Sequence, residues 1–437
     1  MTVKVIGAGL AGCEAAHILS KKGIKVELHE MKPQSYSPAH KLPTFAELVC
    51  SNSLKAERFG SAAGLLKWEM EYLGSLTVPL AKKNAVPAGG ALAVDRVLFS
   101  KQVTEAIKSD PNITVVTGEV ENIDPDEYTI IATGPLTGGR LADSLKALCG
   151  EEYLSFYDAA APIVTADSID MEHAFFASRY DKGDGDDYIN CPLNKEEYEA
   201  FVSALVSAER ALLHENDMGL KVYEGCMPIE VLASRGTDAI RFGPMKPVGL
   251  KDPKTGHRPW AVLQLRKETK QAEMYNLVGF QTNLKFGEQK RVFGMIPALS
   301  HAEYVRYGVM HRNSFIDSPR VLNSDFSMKK HPKVSFAGQI SGVEGYMESA
   351  ASGIAAAFFM AAAINGEQLP PFPDITMIGA LSRYISDGSV KNFQPMGANF
   401  GILPPLPTAI RDKKERYNLL AERSAKWFSD NVRSEEK

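Results

Sequence analysis

The sequence predicts an α/β fold in which one sheet is assembled from both chain ends and interrupted by an inserted α+β region. Three observations predict it: a glycine-rich turn between a β-branched run and a helical run at the start, a second β-branched run ending in Thr133-Gly134, and a late return of the same pattern near residue 334. Val3 to Ile6 reads as a strand, Cys13 to Lys22 as a helix stopped by Gly23, and Ile24 to His29 as the next strand, a βαβ unit. Val115 to Val120 and Tyr128 to Ala132 read as further strands. From Pro135 to Asp325 the pattern loosens into hairpin-like runs, loops and a helix from Lys195 to Glu215. Val334 to Ala337 restores the buried-strand pattern, followed by Gly338, Gly342, Gly345 and a long helix of small residues. The charged tail from Arg411 to Lys437 reads as a solvated surface helix. The expected division is therefore 1–135 with 326–437 as one discontinuous domain, and 136–325 as the insertion.

Composition narrows the class. The 437 residues are 44% hydrophobic and 23% charged, with a net charge of −4, so no global basic field advertises nucleic acid, although a local basic face stays compatible. Five scattered cysteines, with no C-x-x-C pair, fit neither a disulfide framework nor a zinc ribbon, and no metal site is expected. No run reaches the roughly eighteen apolar residues of a membrane helix. Ala350 to Ile364 contains Ser352 and Gly353 and reads as a buried helix. The N-terminus enters a strand without the features of a signal peptide, so a cytoplasmic protein without a membrane partner is expected.

Gly7-Ala8-Gly9-Leu10-Ala11-Gly12 is G-x-G-x-x-G between strand and helix. The first glycine permits the tight turn, the second lets backbone approach a pyrophosphate, and the third lets helix and strand pack closely. The helix start offers N–H groups and a positive dipole end to phosphate. Glu30, closing the second strand, suits a ribose hydroxyl and repels a 2′-phosphate. Thr129 to Gly134, with Thr133 and Gly134 at its end, resembles the turn that crosses beside the nucleotide in flavoproteins of the glutathione-reductase type. Ser335-Phe336-Ala337-Gly338-Gln339 resembles their late motif. That resemblance implies FAD in an FAD-binding Rossmann-like domain, with Gly338, Gln339 and Gly342 near it.

Three further segments carry a closer resemblance: Leu48-Val49-Cys50-Ser51-Asn52-Ser53-Leu54-Lys55, Cys226-Met227-Pro228-Ile229-Glu230, and Gly342 through Ala351. Together with Arg241 to Val248, Asn276 to Asn283 and His311-Arg312-Asn313, they resemble the bacterial folate- and FAD-dependent tRNA uracil-5-methyltransferases over nearly the whole chain. The resemblance implies that methylene from 5,10-methylenetetrahydrofolate reaches uracil by way of the flavin, which NADH or NADPH recharges. It also implies two catalytic cysteines, Cys50 and Cys226, one adding to carbon 6 of uracil and one assisting removal of the carbon-5 proton. Cys226 is the favoured nucleophile. Cys13 reads as packing, and Cys149 and Cys191 have no assigned role.

Around that chemistry, Tyr346 is expected to cover a flavin or folate ring. His311 is a candidate to stack on the pterin or steer a proton; Glu344 and Glu348 are weaker candidates as proton carriers. Basic residues from Arg235 to Arg291, with Arg241, Lys246, Arg266 and Lys267 among them, lie near Trp260, Tyr275 and Phe280 and suit RNA contacts with an extruded uridine. tRNA and folate are the expected partners, and the oligomeric state is left between a monomer and a weak dimer. The rival readings are the same chemistry on ribosomal RNA, a wobble-uridine enzyme of the larger related family, a small-molecule flavin oxidoreductase, and a non-catalytic RNA-binding flavoprotein.

Overall fold

The computed structural model describes residues 1–150, 153–159, 161–181, 186–211, 227–390 and 393–432, with only the backbone at 153–159, 181 and 311–312. Valine and isoleucine in β1 (Thr2–Ile6) and β2 (Lys25–Glu30) flank helix α1 (Leu10–Lys21), forming the expected βαβ unit. Short strands β3 (Ser53–Ala56), β4 (Ala85–Val86) and β5 (Ala91–Val94) form a small antiparallel sheet among helices α2 (Ala62–Tyr72), α3 (Thr77–Lys83) and α4 (Arg96–Ser109). Asp95 caps α4 by accepting from the N–H groups of Val97 and Leu98. Strands β6 (Ile113–Thr117) and β7 (Thr129–Ile131) precede α5 (Gly139–Cys149). The first was expected to run to Val120, but the chain turns at Gly118, whose φ of 138° a side chain rarely adopts.

Strand β8 (Tyr153–Ala159) pairs with β15 (Met310–Ile316). Between them lie β9 (Ile163–Thr165), β10 (Phe175–Phe176), β11 (Tyr188–Leu193), helices α6 (Lys195–Ser207) and α7 (Ile229–Ala233), β12 (Ala261–Lys267), β13 (Met274–Leu277), α8 (Phe286–Phe293) and β14 (Tyr304–Arg306). The α6 capping box of Asn194 and Glu197 fixes its start, and the helix ends at Ser207, short of the expected Glu215. After α9 (Ser318–Val321) come β16 (Val334–Phe336), α10 (Tyr346–Ile364), α11 (Met377–Ser386) and α12 (Lys413–Asn431).

The five-stranded sheet has the order β16-β7-β1-β2-β6 and every pairing is parallel, so a strand from residues 334–336 completes a sheet begun at residue 2. The six-stranded antiparallel sheet, β10-β11-β12-β13-β9-β14, belongs to the middle of the chain. The apolar core divides likewise: one cluster gathers residues from Val3 to Cys149 and from Phe315 to Phe428, and a second gathers Val164 to Ala302. Among the described residues one helix, α10, is long and apolar enough to cross a membrane by length and composition. It is buried instead, lying along α1 with Gly353 on the Ala11 backbone so closely that a side chain there would overlap it.

The C-terminal helix differs from the expectation. Leu420, Ala421, Ser424 and Phe428 of α12 are buried, a spacing that puts one face against the first core while charged residues occupy the other. Ser424 donates to Glu69 of α2 at 2.6 Å, and the same carboxylate accepts from the N–H groups of Met377 and Ile378 at the start of α11. Burial pushes the Glu69 carboxyl from an ordinary 4.5 up to about 7, against the pull of those donors. Because the folded value is raised, the contribution of Glu69 to stability is fully present below about pH 4.5 and is lost as pH rises through 7. Relative to Glu69→Gln, wild-type stability should fall by about 3 kcal/mol across that window. Urea titrations of both proteins at several pH values check it.

Candidate active site

The cleft at the carboxyl ends of β1, β2 and β7 encloses about 260 Å³. That edge is where parallel α/β sheets bind ligands. Gly7 to Ala11, Glu30, Thr133, Gly134, Gly338 and Gln339 all line it, together with Cys50 and Tyr346. Gly7, with φ of 97°, turns under Ala132, and a Cβ on it would stand 2.6 Å from the Ala132 carbonyl oxygen. Gly12 does not line the cleft: it packs on Gly7, where any Cβ would overlap the Gly7 carbonyl. No side chain caps α1, so its first-turn N–H groups face the cleft without a partner from the helix itself. Glu30 accepts from Ala8 N at 2.8 Å and Lys32 N at 3.0 Å, tying the second strand to the glycine turn. Gly342 stands away from the cleft, packed under the Phe393 ring with φ of 82°.

These features fit a dinucleotide. The turn is bare of side chains where a pyrophosphate would approach, the helix start offers donors, and a carboxylate stands at the ribose position. Cys13, by contrast, is buried with its thiol pushed well up, chiefly by desolvation and then by Glu30, and it donates to Ala8 O. It packs. Cys191 is likewise buried and its thiol is raised by desolvation.

Cys50 sits on an irregular loop before β3. The Tyr346 hydroxyl, from the first turn of α10, lies 3.0 Å from Cys50 Sγ and accepts from Cys50 N at 2.8 Å and Ser51 N at 3.4 Å. With two N–H groups directed at that oxygen, its hydrogen is left to donate to sulfur. Burial and the neighbouring Cys50 raise the tyrosine well above its ordinary value, which keeps it a donor. The ring was expected to cover a flavin or folate; the geometry adds a hydrogen bond to the thiol that sequence position did not suggest.

Three arginines hold this loop. Arg96 Nη1 donates to the Leu48 carbonyl at 3.0 Å, and Arg306 Nη1 to the Val49 carbonyl at 2.6 Å. Arg266 Nε donates to Asn52 Oδ1 and its Nη2 to Ser51 Oγ, at 2.8 and 2.7 Å. Glu268 ion-pairs with Arg96 at 2.6 Å, with both side chains largely buried. Arg266, grouped above with possible RNA contacts, is 6% exposed and turned inward, so it is a support of the cysteine loop. Sequence reading missed Arg96 and Arg306 because each contact spans a long separation and leaves no local pattern.

The remaining candidates are dispersed. Cys226 lies outside the described residues, as does the His311 side chain; the His311 backbone pairs with Asp158 across β15 and β8. Arg241 stacks on the Trp260 ring at 3.8 Å and donates to the Trp260 carbonyl, and Lys246 is exposed; neither lines the cleft. Glu348 is engaged by Lys55 Nζ at 2.6 Å and Ala398 N at 2.9 Å, and Glu344 accepts from Gln339 Nε2. Both are tied into local structure.

The chain's relatives agree with this architecture. Residues 2–368 match the family model described as glucose inhibited division protein A. The protein from Acetivibrio thermocellus named methylenetetrahydrofolate--tRNA-(uracil-5-)-methyltransferase TrmFO is 56% identical over 98% of both chains. The protein of the same name from Halalkalibacterium halodurans is 53% identical over 99% of this chain and 98% of its own. Among solved structures, GidA of Aquifex aeolicus superposes with a TM-score of 0.69 at 16% identity, covering 98% of this chain and 73% of that one. The chain belongs to the glucose inhibited division protein A family and, within it, to the group formed by these methyltransferase relatives.

Proposed function

We propose that this protein is an FAD-dependent methyltransferase that uses 5,10-methylenetetrahydrofolate and NADH or NADPH to form 5-methyluridine in the T-loop of tRNA. The observation that carries the reading is Cys50, held at the wall of the dinucleotide cleft with its sulfur against the Tyr346 hydroxyl. A buried structural cysteine needs neither a polar partner nor a place on a ligand cleft. The turn Gly7 to Gly12, Glu30, Thr133, Gly134, Gly338 and Gln339 would hold FAD. When bound, FAD would relay the one-carbon unit of methylenetetrahydrofolate and, once reduced by NADH or NADPH, supply the hydride that turns it into methyl.

The protein's own groups act on uracil, whose carbon 5 is a poor nucleophile. A thiolate adding to carbon 6 makes carbon 5 enolate-like; after transfer a base removes the carbon-5 proton and the thiolate leaves. We assign the addition to Cys226 and the proton removal to Cys50, which has a hydrogen-bond donor in Tyr346 and a backbone fixed by Arg96, Arg266 and Arg306. We also propose that 1–135 with 326–437 forms the cofactor domain and 136–325 the substrate domain; the two separate apolar cores support such a division, although Leu145, Cys149, Phe315 and Leu322 of the middle stretch pack in the first core. A tRNA substrate places the expected site of action in the cytoplasm.

Methylene-labelled tetrahydrofolate should transfer its label to an unmodified tRNA transcript with FAD and NADPH present and S-adenosylmethionine absent. Label recovered as 5-methyluridine in the T-loop supports the reading. No transfer from protein with reducible FAD would reject it and turn attention to ribosomal RNA.

A further inference from the structure

Phe286, Tyr307 and Tyr304 stack as three nearly parallel rings. Phe286 and Tyr307 have centroids 4.7 Å apart at 16°, and Tyr307 and Tyr304 4.9 Å apart at 9°. Aromatic pairs inside the two cores mostly tilt or meet edge-on, as Phe280 with Phe293 at 64° and Phe359 with Phe372 at 60° do. Ring quadrupoles favour edge-to-face or offset arrangements. A ladder of parallel rings instead presents a flat face at its end, and its outermost member, Phe286, is 54% exposed.

One end of the ladder is tied to the cysteine loop, and the other follows a segment that joins distant parts of the chain. Tyr304 shares β14 with Arg306, which bonds the carbonyl of Val49, the residue before Cys50. Phe286 opens α8 directly after a segment that fastens two distant parts of the chain: Ala211 N donates to Asn283 O and Ile229 N to Gln281 O, each at 2.7 Å. Two of the three cations between residues 285 and 291 are compensated, Lys285 by Glu209 at 2.5 Å and Arg291 by Glu288 at 2.6 Å, while Lys290 is exposed. What this surface offers is therefore a stacking face more than a phosphate track.

A uridine buried in the T-loop must leave its stack to be methylated. Extrusion exposes the faces of its neighbours, and aromatic side chains accept bases of any identity because every base has a π-face. We propose that Phe286, Tyr307 and Tyr304 form a stacking platform for a nucleobase of the RNA substrate beside the target uridine. The proposal rests on the RNA-methyltransferase reading above.

The test uses the FAD-loaded full chain and an unmodified tRNA transcript, with binding measured without turnover at several salt concentrations. FAD content serves as the folding control. Phe286→Ala should weaken tRNA binding about tenfold or more, Tyr307→Ala should do the same, and Phe286→Trp should restore it. The salt dependence should keep its slope, because no phosphate contact is lost. The KM for methylenetetrahydrofolate should not move. Wild-type affinity for tRNA in Phe286→Ala would overturn the platform, and so would a rise in the folate KM alone, which would give the ladder to the folate ring. If wild-type protein binds tRNA without methylating it, the methylation reading fails, while the binding comparison still judges the platform.

Discussion

Replacing Cys50 with alanine is expected to cut 5-methyluridine formation by about 10³-fold while FAD content stays at the wild-type level, the loss typical of removing a positioned acid–base group. The loop should survive the change. Its carbonyls are held by Arg96 and Arg306, its Ser51 and Asn52 side chains by Arg266, and its N–H groups by Tyr346, none of them through the sulfur. Cys226→Ala should also abolish methylation with FAD retained; loss of the flavin would make that cysteine structural. Nucleoside analysis of the tRNA and the flavin absorbance of the purified variants read both outcomes. A wild-type rate in Cys50→Ala would return the residue to packing.

Gly12→Ala should act on the cofactor instead. A Cβ at this position overlaps the Gly7 carbonyl oxygen, which is backbone and has no side-chain freedom with which to yield. Either α1 shifts away from β1 or the turn opens, and both move the N–H groups at the helix start. Overpacking of this kind costs about 1–3 kcal/mol; where that cost falls on the bound state, FAD binding weakens by roughly five- to 150-fold. Fluorescence titration of the apoprotein with FAD measures it. Gly9→Ala makes the control, since a Cβ there meets nothing within 4 Å among the described residues; weaker FAD binding in that variant would come from the ligand side alone.

The cofactor half was legible because its signals are local. Gly7, Gly9, Gly12 and Glu30 follow one another along a strand, turn, helix and strand, and the late motif at Gly338 repeats the language of buried β-branched residues followed by glycine. The thiol environment was not. Arg266 looked like one more basic residue in a charged stretch, yet it lies in β12 and reaches Asn52 across 214 positions. Burial of a charged group depends on a partner supplied by tertiary structure, and no periodicity encodes that partner. The C-terminal helix shows the opposite error. The spacing of Leu420, Ala421, Ser424 and Phe428 was visible, but the surrounding charges outweighed it in a reading by composition.

The grip of Arg266 and Arg306 on the cysteine loop has a consequence for how the enzyme comes into being. Both arginines belong to the six-stranded sheet, whereas Cys50 belongs to the part of the chain made first. A nascent or truncated chain lacking that sheet would have the glycine turn but would leave the Val49 carbonyl without its Arg306 donor and the Ser51 and Asn52 side chains without Arg266. The order of the Cys50 loop thus depends on side chains made long after it, and a chain without the six-stranded sheet would lack the Arg266 and Arg306 donors that fix it in this structure.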